Sequence, residues 1–225
     1  MTATAGRETA GGMDARESMD RMYRLQRHFY DLTRKFYLFG RDGLIERLDA
    51  RPGETVCEVG CGTARNLVKM ARRYPQARFL GLDASDEMLK TATAAVARAG
   101  LAGRLPLAQA YAQSFTPATF GLEAPLDRVV FSYTLSIIPE PLAALDNALA
   151  QLRPGGSIHV VDFGDAAALP GWFRRLLTWW LAKFHVAHRP AVGDWFARKA
   201  AEGAGHLQAR TIGGRYAEFF TLTKT

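Results

Sequence analysis

Cysteine is scarce in this 225-residue sequence, and long apolar runs are absent. The two cysteines, Cys57 and Cys61, have no second pair of metal ligands nearby, so a zinc site is disfavoured. No apolar run reaches the roughly 18 residues of a membrane span. The first thirteen residues contain no apolar stretch of the kind that signal peptides carry. We therefore expect a protein of the reducing cytoplasm that holds no metal.

Acidic residues are the minority charge. The chain has 29 Lys and Arg against 22 Asp and Glu, with a net charge of +7 and a pI near 9.7. A positive protein favours an anionic partner, such as nucleic acid or an acidic membrane surface, and ordinary solubilising charge is the alternative. Much of the excess lies in residues 21–41 and 172–189, where basic side chains alternate with large aromatic ones.

Short apolar runs alternate with segments of helical periodicity. The runs Glu54–Val59, Ala77–Asp83, Leu126–Thr134 and Gly156–Phe163 are bounded by turn residues, as buried parallel strands are. Helices are predicted near Thr63–Arg73, Ser85–Ala99 and Pro141–Leu152, the last closed by the helix-stop sequence RPGG. A hairpin is predicted at the C-terminal end. This alternation predicts a doubly wound α/β sheet, and the 48% apolar share without a composition break favours one domain.

The sequence VCEVGCGTARNL places two glycines directly after the first predicted strand. Gly60 permits a tight turn, and Gly62 lets backbone N–H groups approach a ligand without an intervening Cβ. Asp83 ends the second predicted strand, where a carboxylate can accept hydrogen bonds from both ribose hydroxyls of an adenosine. Because ligands bind at the carboxyl ends of parallel strands, both features predict one adenosine site.

The third glycine of a dinucleotide-binding GxGxxG motif is missing, since the pattern continues as GCGTAR. EVGCGTARNL instead resembles the first motif of the class I S-adenosylmethionine-dependent methyltransferases. GLDASDEML and LRPGGSIHVVDF resemble their second-strand and fifth-strand segments, so the likeness covers residues 54–163. The resemblance implies a Rossmann-like, seven-stranded, mostly parallel sheet with helices on both faces. It further implies a single domain with an N-terminal helical extension and S-adenosyl-L-methionine as cofactor.

The same resemblance assigns the cofactor-binding positions. Many members carry an acid after the third strand of their sheet, and this acid bonds adenine. In this sequence Tyr111 stands at that position. Backbone groups around Ala112 and stacking are therefore expected to hold the base. The expected cofactor-binding residues are Glu58, Gly60, Cys61, Gly62, Asp83, Ala84, Tyr111, Ala112 and Ser132.

Outside the core, FYDLTRKFYLFGRDGLIERL, FSYTLSIIPEP and GDAAALPGWFRRLLTWWLAKFHV resemble the bacterial betaine-lipid N-methyltransferases, which methylate diacylglyceryl-homoserine to diacylglyceryl-trimethylhomoserine. We accordingly divide the chain into a flexible tail, residues 1–18, and a methyltransferase domain, residues 19–225. Within that domain we expect a helical cap (19–50), the cofactor-binding core (54–163), a helical insertion (164–197) and C-terminal strands (198–225).

Methyl transfer to nitrogen needs alignment of the acceptor and no nucleophilic side chain. Aromatic faces suit a cationic cofactor and product, so we expect Tyr30 and Tyr133 at the catalytic site, with Phe36 and Tyr37 as further candidates. Arg34 and Arg41 are expected to bind the acceptor carboxylate. Core packing for the aromatics and a solvated surface for the arginines remain alternatives.

The segment Trp172–Ala187 is apolar, carries several bases and is too short to span a bilayer. It can lie in a membrane interface with bases on lipid phosphates, or it can pack on the sheet. The first alternative predicts a lipid acceptor at an anionic membrane surface and a peripheral position on the inner face of the cytoplasmic membrane.

Three other functions remain open. Phosphatidylethanolamine is the nearest rival acceptor. A nucleic-acid methyltransferase is disfavoured because the sequence after the fourth strand is FSYTLS and lacks the paired prolines that a flipped base would require. A non-catalytic cofactor-binding protein would show cofactor binding without turnover.

Overall fold

The structure is a computed structural model that describes residues 38–183 and 186–225, and the fold below is that of the compact unit Phe39–Thr225. Expectations on the tail, on the cap before residue 38, on Tyr30, Arg34, Phe36 and Tyr37, and on the N-terminal extension lie outside the described residues. The strands are β1 Thr55–Val59, β2 Arg78–Asp83, β3 Leu107–Gln109, β4 Leu126–Ser132, β5 Leu152–Phe163, β6 Gly205–Ile212 and β7 Ala217–Lys224. The α-helices are α1 Arg41–Arg47, α2 Arg65–Arg73, α3 Asp86–Arg98, α4 Pro141–Gln151, α5 Gly171–Ala182 and α6 Pro190–Ala201, and a 3-10 helix covers Pro117–Phe120.

One seven-stranded sheet has the strand order β3-β2-β1-β4-β5-β7-β6. The first five strands in that order run parallel, while β7 is antiparallel to both β5 and β6. The order reverses between β1 and β4, and this crevice at their carboxyl ends is where an α/β sheet binds ligands. The structure therefore confirms the Rossmann-like α/β sheet.

The core packs against the central strands, which are buried on both faces as parallel strands require. Trp195 and Phe196 of α6 are completely buried, and the Phe196 ring stacks on Phe220 at 4.9 Å. At the amino edge, Glu54 and Arg128 form a paired salt bridge with Nε–Oε2 and Nη2–Oε1 distances of 2.7 and 3.2 Å. This pair ties the start of β1 to β4.

Element boundaries differ from the sequence predictions in several places, including the starts of α2 and β5 and the end of α6. Helix α2 begins at Arg65 because Gly62 and Ala64 adopt left-handed backbone angles, φ 54° and 60°. The RPGG stretch belongs to β5, where an irregularity in the β4–β5 pairing lies between the partners Leu126↔Leu152 and Arg128↔Ser157. Helix α6 continues to Ala201, so the helical region extends past the predicted boundary at residue 197.

Candidate cofactor and acceptor site

The loop after β1 turns back against β2. The N–H groups of Gly60 and Cys61 both donate to the Leu82 carbonyl, at 2.8 and 2.9 Å. Gly60 has φ 70°, and a Cβ there would lie 2.5 Å from Thr134 Cγ2. Glycine is thus required by the backbone angle and by packing against the turn that follows β4, in addition to the tight turn predicted from sequence.

Asp83 stands at the end of β2, as predicted, and its carboxylate is oriented by backbone donors. The Gly62 N–H donates to Oδ2 at 2.8 Å, and the Ser85 N–H donates to Oδ1 at 2.9 Å. Gly62 therefore contributes to the site by positioning the acid as well as by its small size.

Glu58 is buried at the carboxyl end of β1. Its Oε1 accepts a hydrogen bond from Asn66 Nδ2 at 2.8 Å, while Oε2 has no hydrogen-bond partner among the described residues. Burial raises the pKa of Glu58 to about 8, against the opposing effects of the Asn66 hydrogen bond and the Arg41 charge. A buried, unpaired acceptor next to the loop is what a cationic ligand group would satisfy.

Ser132 provides a second unpaired group on the same face. Glu58 pairs in register with Val130 of β4, so Ser132, two residues further on, shares the face of Glu58. The buried Ser132 Oγ finds no hydrogen-bond partner within the described part of the chain. Together with Asp83, these groups fit a polar cationic nucleoside such as S-adenosylmethionine.

The segment that follows β3 contains Tyr111 and Ala112, the two residues predicted to lie at the adenine. Tyr111 is 49% exposed, and Ala112 is buried. Asn147 of α4 donates from Nδ2 to the carbonyls of Ala112 and Phe115, at 3.1 and 3.0 Å. Ala84 lies between Asp83 and α3, and its carbonyl accepts from Gln109 Nε2 at 3.2 Å. These hydrogen bonds place the segment at the same edge as Asp83.

Both cysteines are buried, free thiols. Burial raises the pKa of Cys57 and of Cys61, with the charges of Glu58 and Asp83 acting in the same direction. The thiols remain protonated at neutral pH, so Cys61 contributes its backbone and its small volume to the loop. Among residues 38–183 and 186–225, no cluster of three His, Cys, Asp or Glu side chains is arranged as a metal site.

Four aromatic rings gather beside the cofactor loop, and we call them the aromatic cluster: Phe39, Tyr133, Phe163 and Tyr216. Ring centroids are 4.6 Å apart for Tyr133–Phe163, 5.9 Å for Phe163–Tyr216 and 5.4 Å for Phe39–Tyr216, all edge to face. The neighbouring residue Thr134 donates from Oγ1 to the Val59 carbonyl at 3.2 Å and packs against Gly60. The turn after β4 therefore connects the cluster with the cofactor loop.

Tyr133 is almost completely buried and has φ 56°, an uncommon angle for a non-glycine residue that is found more often at functional sites. Its hydroxyl group donates to the Phe39 carbonyl, and burial raises its pKa well above the usual value. The phenol is consequently a neutral donor, and a catalytic role for Tyr133 would come from its ring and not from proton abstraction.

Asp162 anchors the other end of this turn. Its Oδ2 accepts the Ser136 N–H at 3.1 Å, and its Oδ1 accepts the Phe163 N–H at 2.8 Å. Burial raises the pKa of Asp162 to about 6 although these hydrogen bonds oppose the shift.

Sequence reasoning missed five of the residues that form this region: Phe39, Asn66, Asp162, Phe163 and Tyr216. Only Asn66 had a local signal, since it lies at the start of the helix that follows the glycine loop. Arg41 begins α1, is half-buried, and acts electrostatically on both Glu58 and Tyr133. Its role at the acceptor stays a prediction.

Comparison with known proteins finds similarity to methyltransferases. Residues 56–156 match the family model described as a methyltransferase domain. The plantazolicin methyltransferase BpumL in complex with SAH superimposes with a TM-score of 0.67 over 89% of this chain and 90% of its own, at 11% identity, which shows a shared fold. The chain therefore has the fold of a solved methyltransferase, and residues 56–156 are similar to a methyltransferase domain.

Two curated relatives are methyltransferases of different substrates. The trans-aconitate 2-methyltransferase of Azoarcus sp. (strain BH72) is 30% identical over 52% of this chain and 42% of its own length. The ubiquinone/menaquinone biosynthesis C-methyltransferase UbiE of Caulobacter vibrioides is 29% identical over 70% of this chain and 61% of its own. The chain thus spans less than half of the first relative and under two thirds of the second.

Proposed function

We propose that the protein is an S-adenosylmethionine-dependent N-methyltransferase that acts on a lipid head-group amine, most specifically diacylglyceryl-homoserine. The observation that carries this proposal is the aromatic cluster, which lies against the cofactor loop through Thr134. Aromatic faces attract sulfonium and quaternary ammonium groups by the ring quadrupole. Such a surface suits an acceptor whose final methylation product is a permanently charged quaternary ammonium.

The cofactor supplies an electrophilic methyl group on a sulfonium. The acceptor ammonium would first lose a proton to solvent, and its freed lone pair would then form the new C–N bond while the C–S bond breaks, with the uncharged thioether as the leaving group. The protein's task is alignment. Asp83 orients the nucleoside, Glu58 and Ser132 offer unpaired acceptors for its polar groups, and the aromatic cluster holds the acceptor nitrogen.

Arg41 supports the choice of a homoserine head group over phosphatidylethanolamine. A homoserine head group carries a carboxylate beside its amine, and a guanidinium suits a carboxylate because it can form two parallel hydrogen bonds. Arg41 is near enough to Glu58 and Tyr133 to affect the pKa of both. A carboxylate held there would bring its neighbouring amine toward the cluster.

The matches to trans-aconitate 2-methyltransferases favour a second candidate, O-methylation of a small carboxylic acid. In that function Arg41 would still bind a carboxylate, but the aromatic cluster would have no acceptor ammonium to stabilise. The products distinguish the two, because an ester and a quaternary amine differ in mass and in resistance to base.

The test is methyl transfer by the purified full-length protein from labelled S-adenosylmethionine. Diacylglyceryl-homoserine, phosphatidylethanolamine and trans-aconitate are offered separately, and products are identified by mass spectrometry, with an Asp83→Ala variant as the control. The proposal expects label in mono-, di- and trimethylated homoserine lipid. Label only in trans-aconitate, or cofactor binding with no turnover on any acceptor, would refute it.

A further inference from the structure

Helix α5 presents large apolar side chains to solvent. Trp172, Leu176 and Trp179 recur at the i, i+4, i+7 spacing of one helix face, and they are 71%, 52% and 57% exposed. We call these three residues the apolar stripe. Soluble proteins rarely expose contiguous apolar surface of this kind without a binding role.

Helix α5 turns its apolar stripe toward solvent, whereas an ordinary surface helix turns its apolar face toward the core. Leu181 is the buried residue of α5, and it follows Trp172 by nine positions, or about two and a half turns, so it lies on the opposite side. Core packing therefore accounts for Leu181 and leaves the apolar stripe unexplained.

Basic residues accompany the apolar stripe. Arg174 and Arg175 are exposed, and the Lys183 ammonium lies 3.8 Å from the centroid of the Trp179 ring. The sequence contains no Asp or Glu from residue 166 to residue 193. Exposed tryptophans together with bases and no acids match the chemistry of a bilayer interface that carries anionic head groups.

The position of α5 connects it with the site. The Gly164 and Ala166 N–H groups donate to the Tyr216 and Arg215 carbonyls, at 2.8 and 2.9 Å. These bonds hold the segment leading into α5 at the carboxyl edge of β5, the edge that carries the aromatic cluster. The chain thus enters α5 from the edge of the sheet that carries the aromatic cluster.

We propose that α5 is an interfacial docking helix for an anionic lipid bilayer, with the apolar stripe at head-group depth and the bases on lipid phosphates. No helix among the described residues is long and apolar enough to cross a membrane, so α5 binds at the surface. The biological role of this docking rests on the proposed lipid acceptor. Its test measures binding to vesicles and does not require methyl transfer.

Charge favours the bilayer over two other occupants of the apolar stripe. A second copy of the chain would bring a net charge of +7 and the same basic helix. Residues 1–37 contain seven Lys and Arg against five Asp and Glu, so they too are net positive. An anionic lipid surface is the occupant whose charge complements Arg174, Arg175 and Lys183.

The first measurement is sedimentation of the full-length protein with vesicles of phosphatidylglycerol and phosphatidylcholine, compared with phosphatidylcholine alone. Changing Arg174, Arg175 and Lys183 together to Gln is expected to weaken partition about fivefold per charge, on the order of 100-fold in total. The control changes Arg72, Arg73 and Arg98 to Gln, which removes the same charge from exposed helix ends at the opposite edge. The control should retain most of the binding.

Tryptophan fluorescence gives a second readout. Brominated lipids should quench Trp172 and Trp179, while the completely buried Trp195 remains unquenched as an internal reference. A Trp172→Ser/Trp179→Ser variant should lose both quenching and sedimentation with an unchanged unfolding midpoint, because its altered residues touch solvent.

The proposal is overturned if the full-length protein does not bind anionic vesicles, if the basic triple variant binds as the wild type does, or if neutral vesicles bind equally well. Self-association that depends on Trp172 without vesicle binding would assign the apolar stripe to a second copy. Methylation of a soluble acceptor without vesicle binding would reject docking alone. Vesicle binding without methylation of any amine would reject the proposed function alone.

Discussion

Glu58 is buried at the cofactor loop, and its Oε2 has no hydrogen-bond partner among the described residues. Burial raises its pKa to about 8, so the carboxyl group is mostly protonated at pH 7 before a ligand binds. A cationic ligand beside Oε2 would favour the carboxylate and lower that pKa.

We therefore predict that S-adenosylmethionine binding at pH 7 releases close to one proton. Calorimetry in buffers of different ionisation enthalpy measures this number directly. Glu58→Gln should bind more weakly and release no proton from this position. An equal proton count in wild type and variant would show that Glu58 does not face the cofactor.

Asp83 is the second residue whose removal should affect the cofactor specifically. Asp83→Ala removes the acceptor of the Gly62 and Ser85 N–H bonds and the predicted ribose contact. We expect cofactor affinity to fall by roughly 1.5–3 kcal/mol, the range for hydrogen bonds to a charged group. Glu123→Ala, which removes an exposed acid, is the control, and unchanged affinity in Asp83→Ala would contradict the nucleoside assignment.

Gly60 offers a test with a matched glycine. Gly60 and Gly53 both have positive φ, but a Cβ at Gly53 would meet nothing within 4 Å, whereas one at Gly60 would meet Thr134. Gly60→Ala should therefore reduce the free energy of unfolding by roughly 1–3 kcal/mol more than Gly53→Ala does. Denaturant unfolding measures the difference, and adding Thr134→Ala should recover part of it. Equal losses in the two single variants would remove the proposed contact.

At the scale of elements, the turn from Tyr133 to Ser136 joins parts of the site that are distant in the chain. Tyr133 reaches Phe39, Thr134 reaches Gly60, and Ser136 reaches Asp162. The turn thus contacts both the cofactor loop and the aromatic cluster.

Two substitutions of Tyr133 separate its ring from its hydroxyl group. Tyr133→Phe removes one hydrogen bond and should cost about 1 kcal/mol of stability while methyl transfer continues. Tyr133→Leu removes the ring and should raise the KM for the amine acceptor with little change in cofactor affinity. Steady-state kinetics and calorimetry test this pair. If Tyr133→Phe abolishes turnover in a folded protein, the hydroxyl group is itself catalytic.

At the scale of the whole molecule, His159 couples stability to pH at the amino end of β5. Its side chain is buried, Nε2 lies 2.9 Å from Ser157 Oγ, and burial together with the Arg128 charge lowers its pKa to about 3. In the unfolded chain histidine titrates near pH 6.5. Between these values the unfolded state binds the extra proton, so the free energy of unfolding falls as the pH falls from about 6.5 towards 3.

His159→Gln should flatten this dependence. The measurement is the difference in unfolding free energy between wild type and variant at several pH values, which cancels contributions from other groups. The difference should be constant above about pH 7 and should shift against the wild type as the pH falls. A difference independent of pH would mean that the pKa of His159 is the same in the folded and unfolded states.

Sequence alone determined the features that depend on local chemistry. The apolar periodicity predicted the alternation of strands and helices. The glycines at 60 and 62 predicted the tight loop, where both residues have positive φ. The position of Asp83 after an apolar run predicted an acid at the end of β2. Each of these signals lies within a few residues of the structure that it predicts, so no knowledge of distant contacts was needed.

Tertiary structure decided which distant residues meet and which face of a helix is covered. Phe39, Tyr133, Phe163 and Tyr216 are separated by up to 177 positions and come together only because β4, β5 and β7 are neighbours in the sheet. In α5, tryptophan and leucine occur on several faces, and only the packing of Leu181 shows that Trp172 points outward. Burial depends on the surface that a neighbouring element offers, and a sequence pattern specifies that neighbour only through the complete fold.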